Sequence, residues 1–178
     1  MQVRRIVTGN DSQGKSIFTS DEITPRFHSF VHVPGFETAL VWGTNSPAAA
    51  TGEDPTAKAI SWLPQAGGTK LMVITFPPDS VMGSGDFDPA AAGGEYMETI
   101  PGLAERFEMD NPGMHTTPTV DYGMLLDGEI HLELDNGEIK KLAKHDVVIQ
   151  QGTRHAWRNR SAAPATMLFV LIGTSSAV

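Results

Sequence analysis

The sequence predicts an all-β fold, and three observations predict it. Short runs rich in β-branched and aromatic residues recur along the chain, with Gly, Pro and Asn between them. Apolar residues at helical spacing are scarce. Asn136-Gly137 falls between two alternating apolar runs, and this dipeptide supplies the positive φ angles that a tight β-hairpin needs.

Taken in order, residues 3–7, 15–18, 36–42 and 71–76 read as strands. Two loose segments follow the third and fourth of these. Residues 45–58 are rich in Ala, Pro and Thr, and residues 77–94 hold Pro77-Pro78, Gly83-Ser84-Gly85 and Ala90-Ala91-Ala92-Gly93-Gly94. Loops of this length act as lids or contact arms, or are plain excursions. One helix is expected over residues 101–109, with Pro101 suited to its first turn and Leu103, Ala104 and Phe107 as a small apolar stripe. Strands are then expected at residues 122–126, 129–134, 139–142, 147–150, 155–159 and 166–172, with a turn at Asp127-Gly128. Evenly spaced short strands of this kind form a sandwich or a closed barrel.

Composition removes several function classes. The chain has 178 residues, the length of one domain with one core. Its net charge is −8 and no Lys/Arg cluster is longer than a pair, so the footprint of a nucleic-acid partner is missing. There is no cysteine, so any metal must be held by nitrogen and oxygen. The amino terminus carries Arg4-Arg5 with no apolar stretch behind them, which points away from a secretory signal and toward the cytoplasm. No run approaches the roughly 18 apolar residues of a membrane span, so no membrane partner is expected.

The chemistry concentrates in Gly113-Met114-His115-Thr116-Thr117-Pro118-Thr119-Val120-Asp121 and in Gln151-Gly152-Thr153-Arg154-His155. In a strand, residues of equal parity share a face. His115, Thr117, Asp121 and Leu125 therefore look the same way, unless Pro118 introduces a bulge that flips the parity beyond it. Trp157 and Asn159 share parity with His155, so Trp157 can wall the same pocket or pack in the core. Gln150 and Gln151 precede the Gly152 turn, and one of them is placed to reach a cavity; Gln151 is the candidate. Arg154 and Arg158 read as surface residues able to meet an acidic ligand at the rim. His131 alternates out of phase with Ile130 and Leu132 and should face solvent, and His145 sits in a turn. His28 and His32 share parity but have no carboxylate nearby in sequence. Phosphate-binding loops and nucleophile elbows are missing.

Residues 110–172 resemble the cupin superfamily, a small double-stranded β-helix or jelly-roll barrel. Its first motif is Gly-x5-His-x-His, then Glu after three or four residues and Gly after six more. His115, Thr117, Asp121 and Gly128 fall at the last four positions, and Met109 stands at the leading Gly. The second motif ends in Pro-x-Gly-x2-His-x3-Asn, met by Gly152, His155 and Asn159 with Gln150 at the Pro position. Its opening is looser, since His145-Asp146 lies one residue too close. The run around Asn111-Pro112-Gly113 with Asp121-Tyr122 is similar to a subgroup of small bacterial cupins, with relatives linked to aromatic or polyketide metabolism. Residues 1–76 then match the strands that many cupins add around the barrel, often in homodimer contacts.

The resemblance implies three histidines and a glutamate around a metal ion. Carried over by position, His115, Asp121 and His155 are the candidate ligands for a divalent metal (Zn, Fe, Mn or Ni), and Thr117 stands where the fourth would be. The competing reading is a metal-free acid–base site in which a His/carboxylate pair moves protons. Under either, His115, Asp121 and His155 are the catalytic candidates and Thr117, Gln151 and Trp157 the substrate-binding ones. Leu125, Ile149 and Phe169 are expected in the apolar interior. The expected function is a small-molecule enzyme acting on an oxygenated, aromatic or polyketide-like substrate. Its reaction is proton transfer of the dehydratase, isomerase or decarboxylase type, or metal-dependent oxygenation. A non-catalytic ligand-binding module is the alternative.

Overall fold

A computed structural model describes residues 2–50, 52–57 and 60–175. Thr51 and Lys58, in the first loose segment, lie outside the described residues. Strands β1 (Arg4–Asn10) and β2 (Ser16–Ile23) form a two-stranded ribbon. The main sheet has six strands, in the order β3 (Phe27–Ser29), β4 (Glu37–Thr44), β5 (Thr69–Phe76), β11 (Ala165–Gly173), β6 (Thr119–Asp127), β9 (Val147–Gln151). A three-stranded sheet runs β10 (Ala156–Arg158), β7 (Ile130–Glu133), β8 (Ile139–Leu142). The pairings between these strands are antiparallel. The all-β double-stranded β-helix expected from the sequence is the observed fold.

One core joins the two larger sheets. Met72 and Ile74 of β5, Leu125 of β6, and Phe169 and Leu171 of β11 pack in the same cluster as Ile130 and Leu142 of the smaller sheet. Thr119, Asp121, Gly123 and Leu125 of β6 are buried, while Tyr122 between them is exposed. Parity therefore runs unbroken from His115 to Leu125. Pro118 introduces no bulge because it precedes the strand, and its carbonyl accepts hydrogen bonds from Thr174 N and Oγ1. The irregularity in this pairing lies at the far end of β6, where Leu126 is skipped between the Thr166–Asp127 and Met167–Leu125 pairs. Ile149 is not interior. It pairs with Tyr122 on the outer face and is 55% exposed, because its parity is opposite to that of Gln150.

Two turns explain sequence signals. Asn136 (φ 60°) and Gly137 (φ 72°) both take positive φ and close the β7–β8 hairpin. Gly128 has φ +83°, and an added Cβ would lie 2.5 Å from the Pro164 carbonyl oxygen, so only glycine fits there.

The helix lies elsewhere than expected. α1 spans Pro89–Thr99, beginning inside the 77–94 segment read as loose and running past its end, and residues 101–109 form turns with only a short 3₁₀ stretch at Ala104–Arg106. The start signal is local: Asp88 accepts hydrogen bonds from Ala90 N and Ala91 N, and Pro89 occupies the first turn. That cap, with Ala92 buried, outweighs the low propensity of Gly93 and Gly94. Leu103 and Ala104 are buried as anticipated, though not on a helix.

Asn159, 1% exposed, ties the start of the segment over the core to the barrel. Its Nδ2 donates to Phe76 O and Ala163 O, its Oδ1 accepts from Ser161, and its backbone N–H donates to Asp79 Oδ1. Asn159→Ala leaves these buried groups unpaired, and we expect a loss of about 2–3 kcal/mol in urea unfolding. A change under about 0.5 kcal/mol would show the network to be dispensable. No helix among the described residues is long and apolar enough to cross a membrane.

Candidate functional site

His115 and His155 meet through the backbone. His115 N donates to His155 O at 2.9 Å and His155 N to His115 O at 3.0 Å, an isolated antiparallel bridge. This sets the two rings side by side, with centroids 4.2 Å apart. Each ring is fixed by the carbonyl two residues before it: His115 Nδ1 lies 3.0 Å from Gly113 O and His155 Nδ1 2.8 Å from Thr153 O. A carbonyl only accepts, so both Nδ1 atoms carry the proton, and each Nε2 keeps its lone pair. Burial pushes both imidazoles down from the ordinary histidine value. His155 falls to about 3, with the neighbouring His115 adding to the effect.

A clamp holds the loops that carry them. Arg154 donates from Nε and Nη2 to both carboxylate oxygens of Glu108 at 2.6 Å, and from Nη1 to Asp135 at 2.7 Å. Arg158 donates to Glu133 and to Pro112 O. These arginines, expected as free surface residues at the rim, are structural ties.

Asp121 stands apart from the imidazoles on β6. It is 5% exposed, and burial raises its carboxyl to about 6. Thr119 hydrogen-bonds it, and Thr119 Oγ1 lies 2.7 Å from Thr117 Oγ1. Thr119 must donate to Asp121 when the acid is ionised, so Thr117 then donates to Thr119. At the fourth-ligand position, Thr117 begins a buried hydroxyl chain that ends on Asp121. Opposite Asp121 in register sits Gln150, 4% exposed. The cavity-facing glutamine is Gln150; Gln151 is exposed, because parity at the cross-strand partner of Asp121 fixes which of the two points inward.

These groups line a cavity of about 510 Å³. His115, His155, Thr117, Asp121 and Gln150 supply its polar wall. Phe36, Phe76, Tyr96, Phe107, Trp157 and Phe169 supply an aromatic one, with Trp157 against Phe169 at 5.5 Å and edge-on to His155 at 5.9 Å. The segment 77–109 covers one side, with Phe87, Pro89, Ala92 and Gly93 on the cavity. Sequence reasoning missed this roof, although Asp88-Pro89 was the signal for the helix within it.

The metal set implied by the motif can be tested on the donors. The two Nε2 atoms suit an ion, since a metal-bound imidazole commonly donates its other N–H to a carbonyl. Among the described residues, however, no group of three His, Cys, Asp or Glu is arranged to hold an ion, and Asp121 does not join the histidines. The donor set does not fit a three-ligand centre. His28 has a carboxylate that its sequence neighbourhood did not reveal: Glu95 of α1 lies 2.9 Å from His28 Nε2 and also accepts from Val31 N and His32 N. His131 is half-buried rather than solvent-facing, and its strand position beside β10 accounts for that.

No family model matches the sequence. Among proteins of similar sequence, Phomopsin biosynthesis cluster protein C' of Diaporthe leptostromiformis is 32% identical over 180 residues, covering 94% of this chain and 77% of its own. The cupin-domain-containing oxidoreductase fogC of Aspergillus ruber is 24% identical over 174 residues, covering 96% of this chain and 72% of its own. The crystal structure of a Cupin 2 conserved barrel domain protein from Salinispora arenicola CNS-205 is 14% identical, covers 61% of this chain and 66% of its own, and has a TM-score of 0.38. The two sequence relatives are fungal, whereas the motif run had pointed to small bacterial members.

Proposed function

The chain belongs to the cupin superfamily, and from that premise we propose that it is an enzyme that moves protons on a small, partly apolar, oxygenated molecule. The observation that carries this reading is the pair of buried neutral imidazoles on the wall of an aromatic cavity. With Nδ1–H held by a carbonyl, either Nε2 can accept a proton from a carbon next to a carbonyl, or from an enol or phenol oxygen. Asp121, whose carboxyl burial keeps protonated up to about pH 6, can give one to the oxygen that gains charge. The proton that leaves carbon resides on imidazole and the one that reaches oxygen comes from Asp121, as an isomerase requires; in a dehydratase the Asp121 proton would leave with the hydroxyl as water, and in a decarboxylase it would go to the carbon that has lost CO2. Thr117 and Trp157 then position the substrate. That two relatives are named as biosynthesis cluster proteins supports a substrate from specialised metabolism.

A second reading is favoured by fogC, a cupin-domain-containing oxidoreductase: redox chemistry, for which the two Nε2 atoms would be the donors to a divalent ion. One experiment separates them. Turnover is measured with and without O2, alongside metal content of protein purified without chelators and of a His115→Ala/His155→Ala variant. We expect turnover to persist without O2 and no stoichiometric metal. A first-row metal lost in the variant, with O2-dependent turnover, would replace the first reading by the second. A bound ligand that is never converted would leave only a binding protein.

We also propose that the protein is a homodimer. The β1–β2 ribbon exposes Ile6, Ile17, Phe18 and Ile23, and the outer face of β6 and β9 exposes Tyr122, Val147 and Ile149. One chain thus carries two apolar surfaces, and a second copy can cover both by reciprocal exchange. Phe18→Asp is expected to move the protein from dimer to monomer in light scattering; a monomer before the change would refute the idea.

A further inference from the structure

Buried polar atoms without partners are rare in a folded protein, and each asks for an explanation. Among the described residues they occur on Arg5, Thr38, Trp62, Asp121, His131 and Gln150. Only Asp121 Oδ1 and Gln150 Nε2 belong to residues that line the cavity. The two residues are cross-strand partners in the β6–β9 pairing, so their side chains rise from neighbouring points of the same face. They are 5% and 4% exposed, on a cavity whose wall is largely aromatic and aliphatic. An amide donor and a carboxyl oxygen stand next to each other with no protein partner for either.

We propose that Asp121 and Gln150 together recognise one polar group of the substrate, in which a hydrogen-bond acceptor sits beside a donor, as in a carboxamide, a lactam or a hydroxy-carbonyl. The acceptor receives a hydrogen bond from Gln150 Nε2, and the donor hydrogen-bonds to Asp121 Oδ1 without giving up its proton. The rest of the molecule lies on Phe169, Trp157 and Phe76. This rests on the reading of the cavity as a substrate site, and it adds what that reading lacks: the substrate's polar end and the side chain, Gln150, that selects it. A site built around two such groups rejects an analogue that lacks either one, because the protein group is then left unpaired.

The test uses three inert probes of one shape: 2-naphthamide, with acceptor and donor; methyl 2-naphthoate, with an acceptor only; and 2-ethylnaphthalene, with neither. Binding is read by tryptophan fluorescence or calorimetry on the unaltered protein and on Gln150→Met and Gln150→Glu. The unaltered protein should bind the amide about tenfold more tightly than the ester. Gln150→Met should weaken the amide and the ester alike, by about tenfold each, because both lose the N–H to their carbonyl, while leaving 2-ethylnaphthalene within about threefold. Gln150→Glu, which removes the Nε2 donor, should weaken the amide by at least tenfold. Equal binding of amide and ester by the unaltered protein, or amide and ester binding that is undiminished in Gln150→Met, overturns the proposal. If 2-ethylnaphthalene does not bind the unaltered protein, the cavity is not a ligand site and the broader reading fails instead. A Gln150→Met that no longer binds any probe counts against the proposal unless Gln150→Glu still binds 2-ethylnaphthalene and has lost the amide.

Discussion

His115→Gln and His155→Gln are each expected to lower kcat by about 10²–10⁴, the range a positioned acid or base contributes. The cavity should survive the change. Each histidine contributes its Nδ1–H to a carbonyl of its own loop and its backbone to the bridge that joins the two loops, and glutamine can keep the backbone bridge while losing the Nε2 base. An apolar ligand should therefore bind both variants within about threefold of the unaltered protein. If kcat stays within about tenfold while binding holds, neither imidazole is the base, and the chemistry must rest on Asp121. If both variants lose the apolar ligand, the histidines hold the pocket open, and that outcome would likewise remove the support for proton transfer.

The second large effect is on stability against pH, where the buried imidazole and the buried carboxyl pull in opposite directions. His155 titrates near 3 in the folded protein against about 6.5 in the unfolded chain. Its contribution is fully present above pH 6.5 and is lost as pH falls toward 3, because only the unfolded chain gains the proton. Between pH 7 and 4 this removes about 3 kcal/mol. Asp121 titrates near 6 when folded against about 3.9 unfolded. Its folded state holds the extra proton, so its contribution is present below the unfolded value and is lost as pH rises through 6, by about 2–3 kcal/mol. Urea unfolding from pH 4 to 8 should therefore give His155→Gln a profile that gains on the parent at low pH. Asp121→Asn should gain on it at high pH. Profiles parallel to the parent would mean that neither group is held in its neutral form.

The strands and the site were legible in the sequence for different reasons. Regular alternation made β6 readable, and the same alternation carried parity correctly from His115 through Thr117 to Asp121. Equal parity, however, places residues on one face without saying how far apart they lie along it. His115 and Asp121 share a face across six residues, which is why the imidazole pair formed instead with His155, a partner that only the His115–His155 bridge supplies. Gln150 was separated from Gln151 by the register of β9 on β6, a long-range fact. Ile149 faces outward for the same reason, since the register turns its neighbour Gln150 inward. The helix was misplaced because Gly93 and Gly94 suppress its periodic signal, while the Asp88-Pro89 start is short and lies inside a stretch rich in breakers.

The roof helix carries one feature whose meaning reaches past this molecule. Gly93 borders the cavity, and neither it nor Gly94 has any atom within 4 Å of where a side chain would begin. No packing demand holds glycine at these places, so substitution there meets no resistance from the barrel. The floor is placed by the His115–His155 backbone bridge and by the register of β9 on β6. The barrel thus carries the imidazoles, carboxyl and amide, and across the cavity from them lies a helical turn that no packing holds, where added methyl groups would be expected to narrow the space.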